Sequence, residues 1–396
     1  MNLAPFKHVL ALPGVRPLML LMLFARIPPT AAGVTVTLHV VTTLDKGYAA
    51  AGTVGFATMI GLGFGSPLMG RLVDSKGLRI TLALSLLEGV FWVTAPLMDY
   101  YLLLVLAFAN GLVAVPMMSI GRQALTALIP AAQRRPAFSL DSISVELSFM
   151  VGPAAGVLIA TKFSTGTALI SIGVAILAAS AVLFVVNPVL VHEDEDVTGP
   201  QPKVKEWLRG PVIAALIIPF GATMTLSGME IASIASLERS GQQSWLGLVF
   251  VVMCAASALG GLFYGSLKRV PGGVVLLAGM ALLEIPVGLG DGSVALLAIA
   301  LIPMNLLCAP TIAASTELIS KHAPASARGL ALGLQGSAFT FGVAAGQPLA
   351  GVAVDHSGPP LGFVVAGLAG LAVAGLGWVF SRQSRSRQDQ AVSLTS

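Results

Sequence analysis

Charged residues are scarce in this sequence: Asp, Glu, Lys and Arg make up only 10% of its 396 residues. Because an ordinary water-soluble domain has about 25%, this composition excludes a soluble globular protein. Cysteine is also nearly lacking. The two cysteines, Cys254 and Cys308, fall inside apolar stretches, which excludes a disulfide framework or a cysteine-rich metal cluster.

Motifs of enzymatic chemistry are missing as well. The sequence has no G-x-x-x-x-G-K-[ST] phosphate loop, no H-E-x-x-H pair and no Cys/His metal spacing. The net charge of +4 is small and falls mostly in loops between apolar stretches, so it does not indicate nucleic-acid binding. We therefore expect a protein that is not an enzyme and that uses no cofactor or metal ion.

Apolar residues are abundant, at 56% of the chain with a mean hydropathy of +0.89. Crossing the hydrocarbon core of a bilayer takes about 20 such residues, and the sequence contains twelve stretches of suitable length. It therefore predicts an all-α protein embedded in the lipid bilayer. The predicted helices cover residues 16–42, 50–70, 79–98, 101–128, 137–161, 164–186, 211–236, 244–267, 272–290, 294–320, 328–353 and 360–381.

The second half of the chain repeats the first. Residues 116–152 align without a gap on residues 310–346, with Arg134 on Arg328 and Gly152 on Gly346. Half-length repeats in apolar chains are typical of transporters, whose substrate sites lie where two related bundles meet. The predicted domains are a six-helix bundle (1–190), a cytoplasmic linker (191–210), a second six-helix bundle (211–381) and a cytoplasmic tail (382–396).

Basic residues indicate the orientation, because Lys and Arg accumulate in cytoplasmic loops. Most of the 22 fall on one side if the N-terminus is inside the cell. The sequence thus predicts a multi-pass protein of the plasma membrane with both termini cytoplasmic. We expect a monomer.

The loop after the second predicted helix contains Gly70, Leu72, Asp74, Gly77 and Arg79 in the pattern G-x-L-x-D-x-x-G-x-R. This pattern resembles the signature loop of the major facilitator superfamily. The resemblance implies that family's fold of twelve helices in two pseudo-symmetric bundles. It also implies a gate on the cytoplasmic side, in which the Asp74 carboxylate holds basic groups and a helix N-terminus.

A second motif, Gly152-Pro153-Ala154-Ala155-Gly156 in predicted helix five, is similar to a motif of exporters and antiporters in the same family. Its small residues permit close packing and its proline kinks the helix. The expected partner is helix eight. The resemblance favours an antiporter that exports its substrate.

Charged side chains at membrane depth indicate function, because they cost several kcal/mol unless paired or hydrated. In the fold that the resemblance implies, helices one, four, seven and ten line the central cavity, and they contain Arg26, Arg122, Glu230 and Glu317. Arg26 is the first choice for a substrate contact, beside Pro28-Pro29, where a broken helix would expose carbonyl groups. Glu230 and Arg122 are further candidates, and Glu317 is expected at the gate. The alternative is that these charges only pair with one another.

Helix five supplies two candidate proton carriers. The hairpin between helices four and five predicts that Arg122 pairs with Asp141 or with Glu146. Glu146 is the leading proton carrier and Asp141 the second, although a permanent ion pair is an alternative for Asp141. Glu88 and Glu284 occupy repeat-related positions, where hydrogen bonds to neighbouring helices are expected.

These observations predict a secondary active transporter, a proton-coupled antiporter that exports a small organic molecule such as a drug, sugar or metabolite. Its partners would be that molecule, protons and lipid. One alternative is a proton symporter or uniporter that imports a small polar solute. Another, from a different class, is a membrane sensor or scaffold without transport.

Overall fold

A computed structural model of the chain describes residues 4–46, 48–190, 202–242, 245–267 and 270–393. It contains twelve helices long and apolar enough to cross a membrane. We number them α1 to α12: Val15–Thr42, Ala50–Lys76, Leu78–Leu97, Tyr100–Leu128, Ala131–Lys162, Thr165–Val186, Gly210–Arg239, Leu246–Ser266, Gly273–Gly290, Val294–His322, Ala325–Ser357 and Pro359–Phe380.

The predicted all-α fold of twelve spans is confirmed, and most helix ends lie within a few residues of the predicted ones. The larger differences occur at charged ends. Helix α2 continues past Gly70 to Lys76, and α5 begins at Ala131 instead of residue 137. The predicted helices end at these charges because charged side chains are excluded from the hydrocarbon core. A helix can nevertheless continue beyond the bilayer, with its charged side chains in water.

Helix α4 is interrupted between Val113 and Met117. Pro116 lacks an N–H and disfavours helical backbone at the residue before it, which explains the interruption. The buried Glu88 carboxylate of α3 accepts a hydrogen bond from the Val115 N–H, at 3.0 Å, so it satisfies one backbone donor that the interruption leaves. Glu88 thus makes the expected bond to a neighbouring helix.

Glu284, its counterpart in the repeat, behaves differently. The helix of α9 changes to a tighter 3₁₀ form immediately after this residue, over Ile285–Gly290. Glu284 is fully buried, and neither of its carboxylate oxygens has a hydrogen-bond partner within the described ranges. The expected hydrogen bond is therefore absent there.

Close packing in the first bundle occurs between α5 and α1. A Cβ on Gly152 would collide with Thr30, and one on Gly156 with Thr35. The expectation that these glycines face helix eight is therefore wrong. Helix α8 lies near Ile143, nine residues before Gly152, which at about 100° per residue is the opposite face of α5. Pro153 lies inside α5 without ending it.

The second bundle repeats this packing between α11 and α7. A Cβ on Gly346 would collide with the α7 backbone at Met224. Thr30 of α1 donates a hydrogen bond to the Ser148 carbonyl of α5, at 2.9 Å, and Thr223 of α7 donates to the Phe339 carbonyl of α11, also at 2.9 Å. Corresponding pairs of helices are thus joined by the same kind of threonine hydrogen bond, which indicates that the halves share one architecture.

Helices α2 and α11 form a seam between the bundles. A Cβ on Gly70 would meet the backbone of Gly329, and a Cβ on Gly333 would meet the backbone of Ser66. Further along, Ser337 donates a hydrogen bond to the Gly63 carbonyl, at 2.6 Å. The two bundles therefore touch backbone to backbone.

The remaining segments lie at the edges of the bundles. A short helix, Ala4–Ala11, buries Val9 in the core of the first bundle, and its Phe6 ring occupies the space that a Cβ on Gly265 of α8 would need. Residues 191–201 of the predicted linker, including its acidic run, and residues 394–396 of the tail lie outside the described residues. The helix of α12 continues to Ser393. The domain boundaries stay predictions.

The predicted orientation can be tested by labelling single cysteines in a variant that lacks Cys254 and Cys308. We expect a membrane-impermeant maleimide to label Phe163→Cys, in the loop after α5, on intact cells. Ser75→Cys, in the charged last turn of α2, should react only after permeabilisation, because segments rich in basic residues stay in the cytoplasm. Both native side chains are exposed, so access to the bilayer side decides the result. The reverse pattern would show that the orientation is wrong.

Candidate functional site

Asp141 lies at the centre of a buried ion-pair cluster. One of its carboxylate oxygens is 2.7 Å from Nη1 of Arg26 on α1, and the other is 3.3 Å from Nε of Arg122 on α4. All three side chains are at most 5% exposed. The sequence left open whether Arg122 pairs with Asp141 or with Glu146. In the structure it pairs with Asp141.

The cluster extends from the first bundle into the second. Arg122 Nη1 donates to Oε1 of Gln335 on α11, at 3.0 Å, and its guanidinium lies 5.3 Å from the centre of the Phe339 ring. The Gln335 amide in turn donates to Ser315 and Thr316 of α10, at 2.8 and 3.1 Å. Gln335 was missed in the sequence. A buried amide at membrane depth is the signal that could have indicated it, since such a group needs partners.

Arg26 does not line an open site in this structure. It is 1% exposed, and a Cβ on Gly121 of α4 would collide with its guanidinium. Helix α1 also continues through Pro28 and Pro29, so the expected break is absent. In this state Arg26 and Arg122 act as counter-ions of Asp141.

Glu146 lies on the other side of α5 from this cluster. Its Oε1 accepts hydrogen bonds from the Ser257 hydroxyl of α8, at 2.8 Å, and the Cys308 thiol of α10, at 3.7 Å. The Cys254 thiol of α8 also donates to it. All its partners are neutral and belong to the second bundle. Among the described residues no group of His, Cys, Asp and Glu has the arrangement of a metal site.

Glu230 on α7 has no hydrogen bond or ion pair within the described parts of the chain. Its side chain is exposed, yet protein atoms surround it densely, as they do a side chain in the wall of an open cavity. It lies near enough to the Cys254 thiol to interact with it electrostatically. Glu230 therefore lies close to the side chains that contact Glu146.

The Asp74 carboxylate caps the start of the main helix of α11. It accepts hydrogen bonds from the backbone N–H groups of Gly329 and Leu330, both at 2.8 Å, and one from Gln123 of α4, at 3.3 Å. A carboxylate is favourable here because it satisfies free N–H groups and faces the positive end of the helix dipole. Gly77 makes the following turn at φ +84°.

Two further residues expected at the gate lie in different places. Arg79 does not reach Asp74: it donates to the Phe184 carbonyl at the end of α6, at 3.3 Å, and its guanidinium lies 5.4 Å from the centre of that ring. Glu317 of α10 joins the bundles, because both its oxygens accept from Arg135 of α5, at 3.1 Å. Arg79 thus contacts only its own bundle, whereas Glu317 connects the two bundles; its role at a gate stays a prediction.

The polar contacts that join the two bundles lie in the half of the molecule that contains the loop after α2. They extend from that loop to the level of Glu146. On this side the bundles are held together. Glu230, in the opposite half of α7, is exposed. The contacts are Asp74 with Gly329 and Leu330, Arg135 with Glu317, Arg122 with Gln335, Ser337 with Gly63, and Glu146 with Ser257 and Cys308.

Comparison with known proteins agrees with this architecture. A sequence model of the Major Facilitator Superfamily matches residues 18–238 and 212–394, so the chain belongs to that family, whose members are transporters. Among curated protein sequences, none matches the chain significantly. The family gives no support to a sensor or scaffold without transport.

Several solved structures share the fold. The human organic anion transporter MFSD10 (TETRAN) superposes with a TM-score of 0.68 at 14% identity, over 92% of this chain and 100% of that one. The proton:xylose symporter XylE gives 0.69 at 14%, over 93% and 96%. A bacterial homologue of the iron transporter ferroportin, in an outward-facing state, gives 0.70 at 14%, over 94% and 99%. At such low identity these similarities show the fold alone.

Replacing Asp141 by Asn should strongly destabilise the protein, by about 3–5 kcal/mol, because two buried guanidinium groups would lose their counter-ion. Thermal unfolding of the purified protein in detergent measures this loss. Glu238→Gln, on an exposed residue of α7, is the control. We expect Arg26→Gln to restore part of the stability lost in Asp141→Asn. A fully stable Asp141→Asn protein would contradict the ion-pair cluster.

Charge reversal tests the Arg135–Glu317 contact. Glu317→Arg should place two arginines opposite each other and favour separation of the bundles by a few-fold, since such half-exposed pairs contribute about 0.2–1 kcal/mol. Spin labels at Ser75→Cys and Lys321→Cys, in a variant without the native cysteines, would report longer distances. The swap Arg135→Glu with Glu317→Arg should restore the original distances. Unchanged distances in Glu317→Arg would show that the contact does not hold the gate.

Proposed function

We propose that this protein is a proton-coupled antiporter of the plasma membrane that exports a small organic molecule. The observation that carries the proposal is the environment of Glu146, a carboxyl group at membrane depth that contacts the opposite bundle through neutral donors. In the proposed cycle it binds and releases the coupling proton. The protein works as a monomer with both termini in the cytoplasm.

The surroundings of the two carboxyl groups on α5 support this assignment. Asp141 is held between two arginines, so protonating it would leave both without a counter-ion, which is costly. Glu146 has no such constraint, because hydroxyl and thiol partners can adapt to either protonation state. A proton can therefore enter and leave at Glu146 without disrupting the ion-pair cluster.

Movement of the bundles would link this proton to transport. The partners of Glu146, Ser257 and Cys308, belong to the second bundle, so their hydrogen bonds break when the bundles rock apart on this side. A carboxylate separated from these donors gains a proton more readily if its surroundings are apolar. Proton binding and bundle separation thus favour each other, as coupling requires.

The closed side is the side of the loop after α2, and the basic residues there favour a cytoplasmic location for it. The structure then corresponds to an outward-facing state, with Asp74 and the Arg135–Glu317 pair closing the inner gate. Opening this gate while the opposite ends of α1 and α7 approach each other would move the site to the cytoplasmic side.

Export is favoured by the similarity of Gly152-Pro153-Ala154-Ala155-Gly156 to the antiporter motif. Import of a small polar solute by proton symport is the second candidate, and the name of the structural neighbour XylE, a proton:xylose symporter, is consistent with it. The sign of substrate-triggered proton flux distinguishes the two. Antiport moves protons against the direction of the substrate, and symport moves them with it.

The test is proton flux in proteoliposomes with an imposed pH gradient, followed by a pH-sensitive dye inside. Tetraphenylphosphonium, xylose and a set of amino acids are added in turn. For a compound that triggers flux, Glu146→Gln should abolish the flux but keep exchange of labelled against unlabelled compound, because only the proton step is lost. Glu238→Gln serves as the matched control. Wild-type flux in a folded Glu146→Gln protein would disprove the assignment.

A further inference from the structure

Among the described residues, the two arginines at membrane depth have counter-ions, whereas the Glu230 carboxyl group does not. Both arginines at membrane depth are buried against Asp141, and Arg122 also binds Gln335. Glu230 is exposed, and within the part of the chain that the structure describes no cation lies near enough to pair with it. A molecule entering from the open side therefore meets an unpaired carboxylate.

The ionisable groups at membrane depth around the site have no excess of positive charge. Three carboxyl groups, Asp141, Glu146 and Glu230, accompany two guanidinium groups, Arg26 and Arg122. When all are ionised, one negative charge lacks a partner. When Glu146 holds a proton and Glu230 is ionised, the charges of these five groups sum to zero. In neither of these two states do the five groups have a net positive charge that would attract an anion.

The surface beside Glu230 is apolar. Leu226 and Ile234, one turn away on either side of it, lie on the same face of α7, because residues four apart are neighbours on a helix. Ile234 is 38% exposed and Leu226 is half-buried. A ligand that pairs with the carboxylate would also contact these aliphatic side chains.

We propose that the substrate is an organic cation with an apolar body, whose positive charge pairs with the Glu230 carboxylate while its apolar part lies against Leu226 and Ile234. This inference rests on the proposed transport function and names the substrate class of the same cavity. It differs from the sequence-based expectation, in which Arg26 was the first substrate contact, because Arg26 is already neutralised by Asp141.

Direct binding to the purified full-length protein tests the proposal with three probes of similar shape. These are the cation tetraphenylphosphonium, the anion tetraphenylborate and the neutral triphenylphosphine oxide, measured by equilibrium dialysis in detergent. We expect saturable binding of the cation only. Glu230→Gln should weaken it about ten- to hundredfold, because the cation would lose the negative charge with which it pairs in a site of low dielectric.

Matched variants separate recognition from folding. Glu238→Gln, which removes an exposed carboxylate two turns along the same helix, should bind tetraphenylphosphonium as the wild type does. Glu230→Asp should recover part of the affinity, and Glu230→Lys should lose the cation. Thermal unfolding checks that each variant is folded. Tighter binding of either other probe, equal cation binding by Glu230→Gln, or no cation binding would overturn the proposal.

The outcome is distinguishable from failure of the proposed antiport. Cation binding that depends on Glu230, without proton flux in proteoliposomes, would support the substrate class and overturn proton coupling. Proton flux triggered by xylose or an amino acid, without cation binding, would do the opposite. If Glu230→Gln keeps the cation affinity but loses flux, Glu230 handles the proton and the substrate assignment is wrong.

Discussion

One carboxylate, Asp141, makes it possible for two arginines to lie inside this protein. A guanidinium group buried in an apolar bundle without a counter-ion is several kcal/mol too costly, and here two of them share the same carboxyl group. Helices α1, α4 and α5 are consequently fixed relative to one another at this level. Because Arg122 also donates to Gln335, the same cluster contacts α11 of the second bundle.

The contact between bundles has a different character from the contacts inside each bundle. Inside, threonines and glycines bring α1 against α5 and α7 against α11 over several turns. Between bundles, the seam is narrow and its polar contacts are hydrogen bonds to helix ends and single side chains, such as Asp74 at the start of α11. Each such bond is exchangeable for water at small net cost. Rigid bundles with a separable seam are what alternating access requires.

The sequence predicted the twelve spans because hydropathy depends on residue type alone, and it predicted the Asp74 contact because the loop pattern specifies a helix start. It predicted partners less well. Arg79 has the charge of a gate residue, but its position after the turn directs it to Phe184 on α6. Gly152 would permit close packing against any neighbouring helix. The rotation of α5 about its own axis turns this glycine towards α1. Contacts between helices depend on their relative rotation, which composition does not encode.

Helical rotation also explains why two carboxyl groups on α5 have different surroundings. Asp141 and Glu146 are five residues apart, which at about 100° per residue turns them roughly 140° away from each other. Asp141 therefore faces α1 and α4 within its own bundle, where charged partners hold it permanently. Glu146 faces α8 and α10 across the interface, where its partners are neutral and belong to the other bundle. One helix thus has a charge that stabilises its own bundle on one face and, on another, a carboxyl group that contacts the opposite bundle.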